Sequence, residues 1–296
     1  MTSVWNELIG AEVKYYSHGK YRTRAIEAGE GEPLVLVHGV GGHAEAYGRN
    51  VLRLASEGFH VMSIDLLWHG LSEGPEPFEP ESYPLCFSDQ IVDLLDQVGV
   101  EKAHIEGESL GGWVAMSTAL RYPERVHKIV LNTTAGIDWE PGVVRVDNAG
   151  GRDALTTRSL AALEAPSKET IRSRLEWLMA APDRVTDELV DMRYQLYTRP
   201  ETNASLRKVI ANGLGIGKDR CQYYTEAQLA EISVPTLVLW SDKNPGSGPD
   251  VGERIASAIP GAAYYCMLDA AHWPQWEHPE EHDRVVANFL KGKVTG

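Results

Sequence analysis

The stretch AHIEGESLGGWVAMSTAL, residues 103–120, decides the fold. A short apolar run, Ala103 to Ile105, passes through Gly107-Glu108-Ser109-Leu110-Gly111-Gly112 into a segment with apolar residues at helical spacing. That is a G-x-S-x-G between a strand and a helix, the context the motif needs. A serine on so sharp a turn projects its hydroxyl clear of the sheet, the glycines relieve crowding, and the helix start offers backbone donors. Ser109 is therefore the candidate nucleophile.

Outward from this point the same alternation repeats. Apolar runs at Leu34 to Val37, Val61 to Ile64, Lys128 to Leu131, Thr236 to Trp240 and Ala263 to Leu268 read as strands of a buried parallel sheet. Amphipathic segments at Asp89 to Val98, Leu110 to Arg121 and Pro279 to Leu290 read as crossover helices. Val13 to Tyr16 and Tyr21 to Ala28, around Ser17-His18-Gly19-Lys20, read as an antiparallel hairpin on the sheet edge. The fold class is α/β: a mostly parallel sheet flanked by helices.

The alternation stops between Ile137 and Ile232. Helical patterns at Ser167 to Met179, Thr186 to Tyr197, Ala204 to Asn212 and Thr225 to Glu231 replace it, and strands resume at Val234-Pro235-Thr236. Residues 137–232 are thus expected to form a helical lid inserted into a core made of 1–136 and 233–296. Glu73 to Pro84, with four prolines, reads as a surface loop.

The chain has 28 Lys+Arg against 42 Asp+Glu, a formal charge of −14. Nucleic acid and anionic membrane are excluded as partners, because binding either rests on many cations neutralising phosphates. The opening MTSVWNELIGAEVKYY has no basic segment followed by an apolar one, and nowhere do about 18 apolar residues run together. The expectation is a cytoplasmic protein, compatible with a homo-oligomer. Cys86, Cys221 and Cys266 are widely spaced and odd in number, so they read as packing residues.

A serine needs a base at neutral pH, and histidine has the suitable pKa. His272, in Ala270-Ala271-His272-Trp273-Pro274, follows the last strand and precedes the final helix, where a loop can return it to Ser109. The order serine, then acid, then histidine is that of α/β-hydrolases. His38-Gly39-Val40-Gly41-Gly42 after the first parallel strand supplies the second oxyanion donor, the Val40 N–H, to pair with that of Leu110.

A rival reading uses the same loop: Gly39-x-Gly41-x-x-Ala44 with Asp65 ending the next strand meets the dinucleotide fingerprint. It leaves the G-x-S-x-G, the His-Trp loop and the hairpin without explanation. His278 and His282, beside Glu280 and Glu281, have metal-ligand spacing but read as a solvated helix face, so no metal site is expected. His69 follows the second strand in a turn, and the sequence does not decide its role.

The string His272-Trp273-Pro274-Gln275-Trp276-Glu277-His278, with Gly107 to Gly112 and Gly48-Arg49-Asn50, resembles the meta-cleavage-product hydrolases of the α/β-hydrolase superfamily. The resemblance covers most of the chain. It implies a serine-dependent hydrolase that cleaves a carbon–carbon bond in a 2-hydroxy-6-oxo-dienoate from aromatic ring breakdown. In Asp187-Glu188-Leu189-Val190-Asp191-Met192-Arg193-Tyr194, the resemblance assigns Arg193 to the substrate's carboxylate and 2-oxo group, and Trp273 to packing against the substrate. Ser109, deprotonated by His272, then attacks the C6 carbonyl, and water releases the acyl group. The scheme needs no metal or organic cofactor; the partner is a small anionic substrate.

Two positions depart from the family. Its members usually carry Asp four residues after the Trp that ends the penultimate strand; in Trp240-Ser241-Asp242-Lys243-Asn244 that position is Asn244. Asp242, Asn244 or Asp138 could partner His272. In a Ser-His-Asp protease the Asp to Asn change lowers kcat about 10⁴-fold by fixing the wrong tautomer. The second departure is Glu108, where the family more often has Asn. Two other functions fit these residues: a carboxylesterase or lactonase, and a ligand-binding protein on a hydrolase scaffold with a weakened triad.

Overall fold

A computed structural model describes residues 3–79, 83–139, 152–213 and 223–293. Eight strands form one sheet: β1 Glu12–Tyr16, β2 Thr23–Ala28, β3 Glu32–Val37, β4 Phe59–Ile64, β5 Ala103–Glu108, β6 Val126–Asn132, β7 Thr236–Ser241 and β8 Ala263–Met267. Their order is β1-β2-β4-β3-β5-β6-β7-β8, with β2 antiparallel to both of its neighbours, β1 and β4, and every other pairing parallel. The expected hairpin is present, and its outer strand is largely exposed.

Period-two burial explains why the apolar runs are strands. Val35, Val37, Ile105, Ile129, Leu131 and Val238 pack on one face, while Leu34, Leu36, Val130, Leu237 and Leu239 pack on the other. Each such side chain contributes about 1.5–3 kcal/mol when removed from water, so both faces must be covered. Helices Leu85–Val98, Leu110–Arg121, Pro249–Ala258 and Pro279–Leu290 help to do this.

Between β6 and β7 lie helices Arg152–Glu164, Lys168–Glu176, Asp187–Tyr197, Pro200–Lys208 and Glu226–Leu229. Ser167, Thr186 and Thr225 cap three of them, each side-chain oxygen accepting a backbone N–H of the first turn. The first of these helices was not legible in the sequence. The helix expected at Ala204 starts earlier, at Pro200, whose fixed φ suits a first turn.

One sequence expectation changes. The Glu73 to Pro84 loop ends in the core: Tyr83 is buried, its ring 5.0 Å from Phe87 and 5.8 Å from Trp113. Cys86 is buried and Cys266 half-buried, while Cys221 lies outside the described residues. Asp65, needed by the dinucleotide reading, is buried and committed: it accepts from Ala44 N at 2.7 Å and Leu71 N at 2.8 Å, and pairs with Arg24 at 3.1 Å. Both of its oxygens are already engaged inside the core, away from any ribose. No helix among the described residues is long and apolar enough to cross a membrane.

Candidate active site

The parallel strands end level with one another: Val37 pairs with Gly107, Glu108 with Asn132, Asn132 with Leu239, and Ser241 with Met267. The loops that follow β3, β5, β6, β7 and β8 therefore meet at the carboxyl edge of the sheet, where ligands bind in such folds. Every candidate catalytic residue lies on one of these loops.

Ser109 joins β5 to the helix Leu110–Arg121 with φ 55° and ψ −110°, a left-handed conformation that a non-glycine residue holds only when its surroundings enforce it. Its N–H donates to Asn132 O at 2.9 Å, and its carbonyl accepts from Ala135 N at 3.0 Å. The motif glycines are required by space. A Cβ on Gly107 would sit 2.0 Å from the Gly111 carbonyl, and one on Gly111 would sit 2.0 Å from Val37 O.

The His38–Gly42 loop is held by a neutral imidazole. Burial pushes the His38 pKa well below its usual value; Nε2 accepts from Leu66 N at 3.1 Å, which leaves Nδ1–H to donate to Gly39 O at 2.7 Å. Val40 and Leu110 flank Ser109 as expected for an oxyanion site, Val40 sharing a small cavity with Ser109 and Leu110 following it at the first helical position.

His272 comes from the loop after β8. Its N–H donates to Leu178 O of the lid at 2.9 Å, and its carbonyl accepts from Thr133 Oγ1 at 3.0 Å. Its Nδ1 lies 2.6 Å from Asn244 Oδ1. Of the candidates for the third position, Asn244 is the one that meets the ring; Asp242 Oδ1 instead accepts from Ala270 N at 3.2 Å, which binds it to the loop backbone. Asp138 is exposed and likewise makes no bond to the ring.

The concern that Asn fixes the wrong tautomer is answered by Ser247. Asn244 Nδ2 donates to Ser247 O at 3.1 Å and to Ser247 Oγ at 2.7 Å. A carbonyl can only accept, so the amide nitrogen must face Ser247 and Oδ1 must face the ring. The His272 Nδ1 consequently carries the hydrogen, as a serine hydrolase requires. Its Nε2 lies 3.1 Å from Glu108 Oε1, and no hydrogen bond joins it to Ser109 among the described residues.

Arg193 is buried on the helix Asp187–Tyr197, on one face with Leu189, Val190 and Tyr197. Its Nε, Nη1 and Nη2 have no hydrogen-bond partner among the described residues, and its guanidinium lies 5.4 Å from the Trp273 ring and 5.7 Å from that of Tyr197. A buried cation without a counter-charge is costly. A second buried guanidinium, Arg174, escaped the sequence reading. It donates from Nε to Ser159 Oγ at 2.9 Å and from Nη2 to Val40 O at 3.4 Å, while Nη1 has no partner. Burial pushes its pKa down, with Arg193 acting in the same direction and Tyr197 and Glu108 against it. The signal was its spacing with Ile171 and Leu175 on the buried face of the lid helix.

Ser109 and His272 border two cavities. One, of about 340 Å³, is walled by Trp113, Trp139, Trp177, Tyr223 and Trp240, with Trp113 and Tyr223 stacked at 4.6 Å. The other, about 10 Å³, is nearly filled and is bordered by Glu108, Arg174 and Trp273. One cavity is aromatic; the other is ionic.

Beneath the nucleophile lies a buried ionic network, which corrects the expectation for His282. This residue is fully buried rather than on a solvated face: its Nε2 is 2.7 Å from Glu106 Oε1 and its Nδ1 3.0 Å from Asp283 Oδ1. Burial alone would lower its pKa, but Glu106 and Asp283 raise it to about 10. Asn132, whose carbonyl holds Ser109 N, donates from Nδ2 to Gln275 Oε1 at 3.0 Å. Among the described residues no group of three or more His, Cys, Asp or Glu could hold a metal.

Because the folded pKa of His282 is above its ordinary 6.5, its stabilisation is complete below that value and is lost as pH rises through about 10. Urea unfolding should therefore give a stability that falls between these pH values, with a shallower fall in His282→Gln. Equal slopes in the two proteins would contradict the charged network.

The string that carried the resemblance is a joint between lid and core. Glu277 accepts from Ala271 N at 2.6 Å and Ala180 N at 2.8 Å, and pairs with Arg184 at 2.7 Å. Arg49 Nη1 donates to Trp276 O at 2.7 Å and Asn50 Nδ2 to Gln275 O at 3.1 Å, so the two motif segments meet.

Residues 32–279 match the alpha/beta hydrolase fold family. The chain is 28% identical over 283 residues to a 2-hydroxy-6-oxononadienedioate/2-hydroxy-6-oxononatrienedioate hydrolase of a Pseudomonas species, covering 89% of this chain and 90% of that one. It is 28% identical over 269 residues to a 2-hydroxy-6-oxo-6-phenylhexa-2,4-dienoate hydrolase of Comamonas testosteroni, covering 90% of each. A solved meta-cleavage product hydrolase from Pseudomonas fluorescens IP01 superposes with a TM-score of 0.77 at 25% identity, covering 94% of this chain and 97% of that one. With the nucleophile turn, histidine loop and lid all in place, the chain belongs to the alpha/beta hydrolase family, and its resemblance to the meta-cleavage-product hydrolases holds over most of its length.

Proposed function

We propose that the protein is a serine-dependent hydrolase that cleaves the C5–C6 bond of a 2-hydroxy-6-oxo-dienoate whose C6 substituent is apolar and aromatic. The observation that carries this reading is Arg193: three buried, unpartnered guanidinium nitrogens beside Trp273, which follows the catalytic histidine directly. A planar guanidinium suits a carboxylate and its neighbouring 2-oxo group, and it stabilises charge gathering there as the dienol ketonises.

With that end held, the C6 ketone lies at Ser109. His272 takes the serine proton, the Val40 and Leu110 N–H groups receive the oxyanion, and the C5–C6 electron pair leaves toward the carbonyl that Arg193 holds. Water then releases the acyl group as a carboxylic acid. The substrate is a small organic anion, and no step in this scheme calls on a metal or organic cofactor.

The 340 Å³ cavity sets the substituent. Its wall is mainly aromatic and aliphatic, and among the described residues its one acidic or basic side chain besides His272 is Asp138. A second carboxylate on the acyl group would meet no Lys or Arg among the described lining residues, so a 6-phenyl dienoate should have a kcat/KM at least roughly tenfold above that of a dienoate with a carboxylated acyl group. The deciding experiment is incubation with the yellow 6-phenyl dienoate, followed by loss of absorbance. No bleaching, while p-nitrophenyl esters are hydrolysed, would make the protein an esterase instead.

A further inference from the structure

We propose that Glu108 supplies the negative charge that Asn244 lacks, so that the carboxylate of this triad stands beside the nucleophile instead of behind the histidine ring. The inference rests on the reading of Ser109 and His272 as the reacting pair.

Glu108 is the last residue of β5 and is 1% exposed. Its Oε2 accepts from Gly39 N at 2.7 Å, which fixes the carboxylate, and its Oε1 faces His272 Nε2 at 3.1 Å. A Cβ on Gly39 would come within 2.4 Å of Oε2, so the loop approaches this carboxylate as closely as it does because residue 39 is glycine. Across the ring, Asn244 presents a neutral oxygen whose orientation Ser247 determines. The ring is therefore oriented by an amide on Nδ1 and charged against a carboxylate on Nε2.

The charge count equals that of a Ser-His-Asp triad. With the ring neutral, Glu108 contributes −1; when Nε2 takes the proton of Ser109, the ring becomes +1 and the pair is neutral. Without Glu108, the half-buried imidazolium would add a third cation to the buried Arg174 and Arg193. Glu108 from β5, Asn244 from the loop after β7, and Arg174 and Arg193 from the lid are the polar and charged side chains that set this balance.

The test uses Glu108→Gln, Asn244→Asp and the double variant, each assayed on the 6-phenyl dienoate and on p-nitrophenyl acetate. Gln keeps an acceptor for Gly39 N–H. E108Q should lose roughly 10²-fold in kcat on both substrates, and its acidic limb of kcat/KM should move to lower pH, because the imidazolium has lost its partner. The double variant, with a carboxylate restored on Nδ1, should recover at least roughly tenfold over E108Q. An unchanged pH profile in folded E108Q, or a double variant no better than E108Q, would overturn the proposal.

Histidine-ring ¹⁵N spectra of the wild-type protein provide a test that needs no variant. They should show hydrogen on Nδ1 throughout and a titrating Nε2; a bare Nδ1 would overturn the assignment. Ester turnover separates this inference from the function: if only esters are cleaved, the dienoate reading fails while the Glu108 effect stands.

Discussion

Replacing Arg193 with Met should make the protein more stable and nearly inactive on dienoates. The wild-type side chain buries a guanidinium with three unpartnered nitrogens, and replacing buried charge with an apolar chain of similar length stabilises by about 1–4 kcal/mol. For a chain of this size, Tm should rise on the order of 2–4 °C per kcal/mol. The same change removes the charge-assisted bonds that hold the substrate's carboxylate, so kcat/KM for a dienoate should fall about 10²–10³-fold. Short esters that lack the carboxylate should lose less than roughly threefold. Thermal denaturation and the two assays check the whole pattern. A destabilised variant, or equal losses on both substrates, would remove Arg193 from its role.

Ser109→Ala should lower kcat by about 10³–10⁶-fold, the range for losing a nucleophile that works as a unit with its base. Removing one hydroxyl leaves Arg193 and the aromatic wall in place, so binding of the 6-phenyl dienoate, measured by quenching of the pocket tryptophans, should change less than roughly threefold. Full retention of turnover would exclude an acyl-enzyme route. Retained biological output with no turnover in either protein would point to the ligand-binding alternative.

What the sequence revealed follows from which interactions are local. Leu34 to Val37 and Thr236 to Trp240 were legible as strands because both sheet faces are covered and continuous apolar runs report it. Ser109 was legible because its turn needs Gly107 and Gly111 for reasons contained within a few residues. His272 was found by its order and place after the last strand; Asn244 was one of three candidates, marked by the family resemblance, and the two meet at 2.6 Å.

The missed features depend on tertiary approach. Arg174 reads as an ordinary surface arginine until the lid closes its face over Val40. His282 was mistaken for a solvated residue because Glu280 and Glu281 surround it in sequence, whereas the partners that bury its charge are Glu106 on a distant strand and its neighbour Asp283. Asp242 lost the third position to Asn244 because the loop backbone at Ala270 claims its carboxylate. The contact between Glu108 and His272 joins the ends of two strands and leaves no trace in spacing.

The central claim is an orientation: the anionic end of the substrate at Arg193, the ketone at Ser109 and the aromatic substituent in the Trp113 and Tyr223 cavity. A crystal structure of Ser109→Ala with the 6-phenyl dienoate measures it directly. The substrate carboxylate should lie within about 3.2 Å of an Arg193 nitrogen, with the phenyl ring among the tryptophans. A carboxylate directed to solvent, or a phenyl ring against Arg193, would contradict the account.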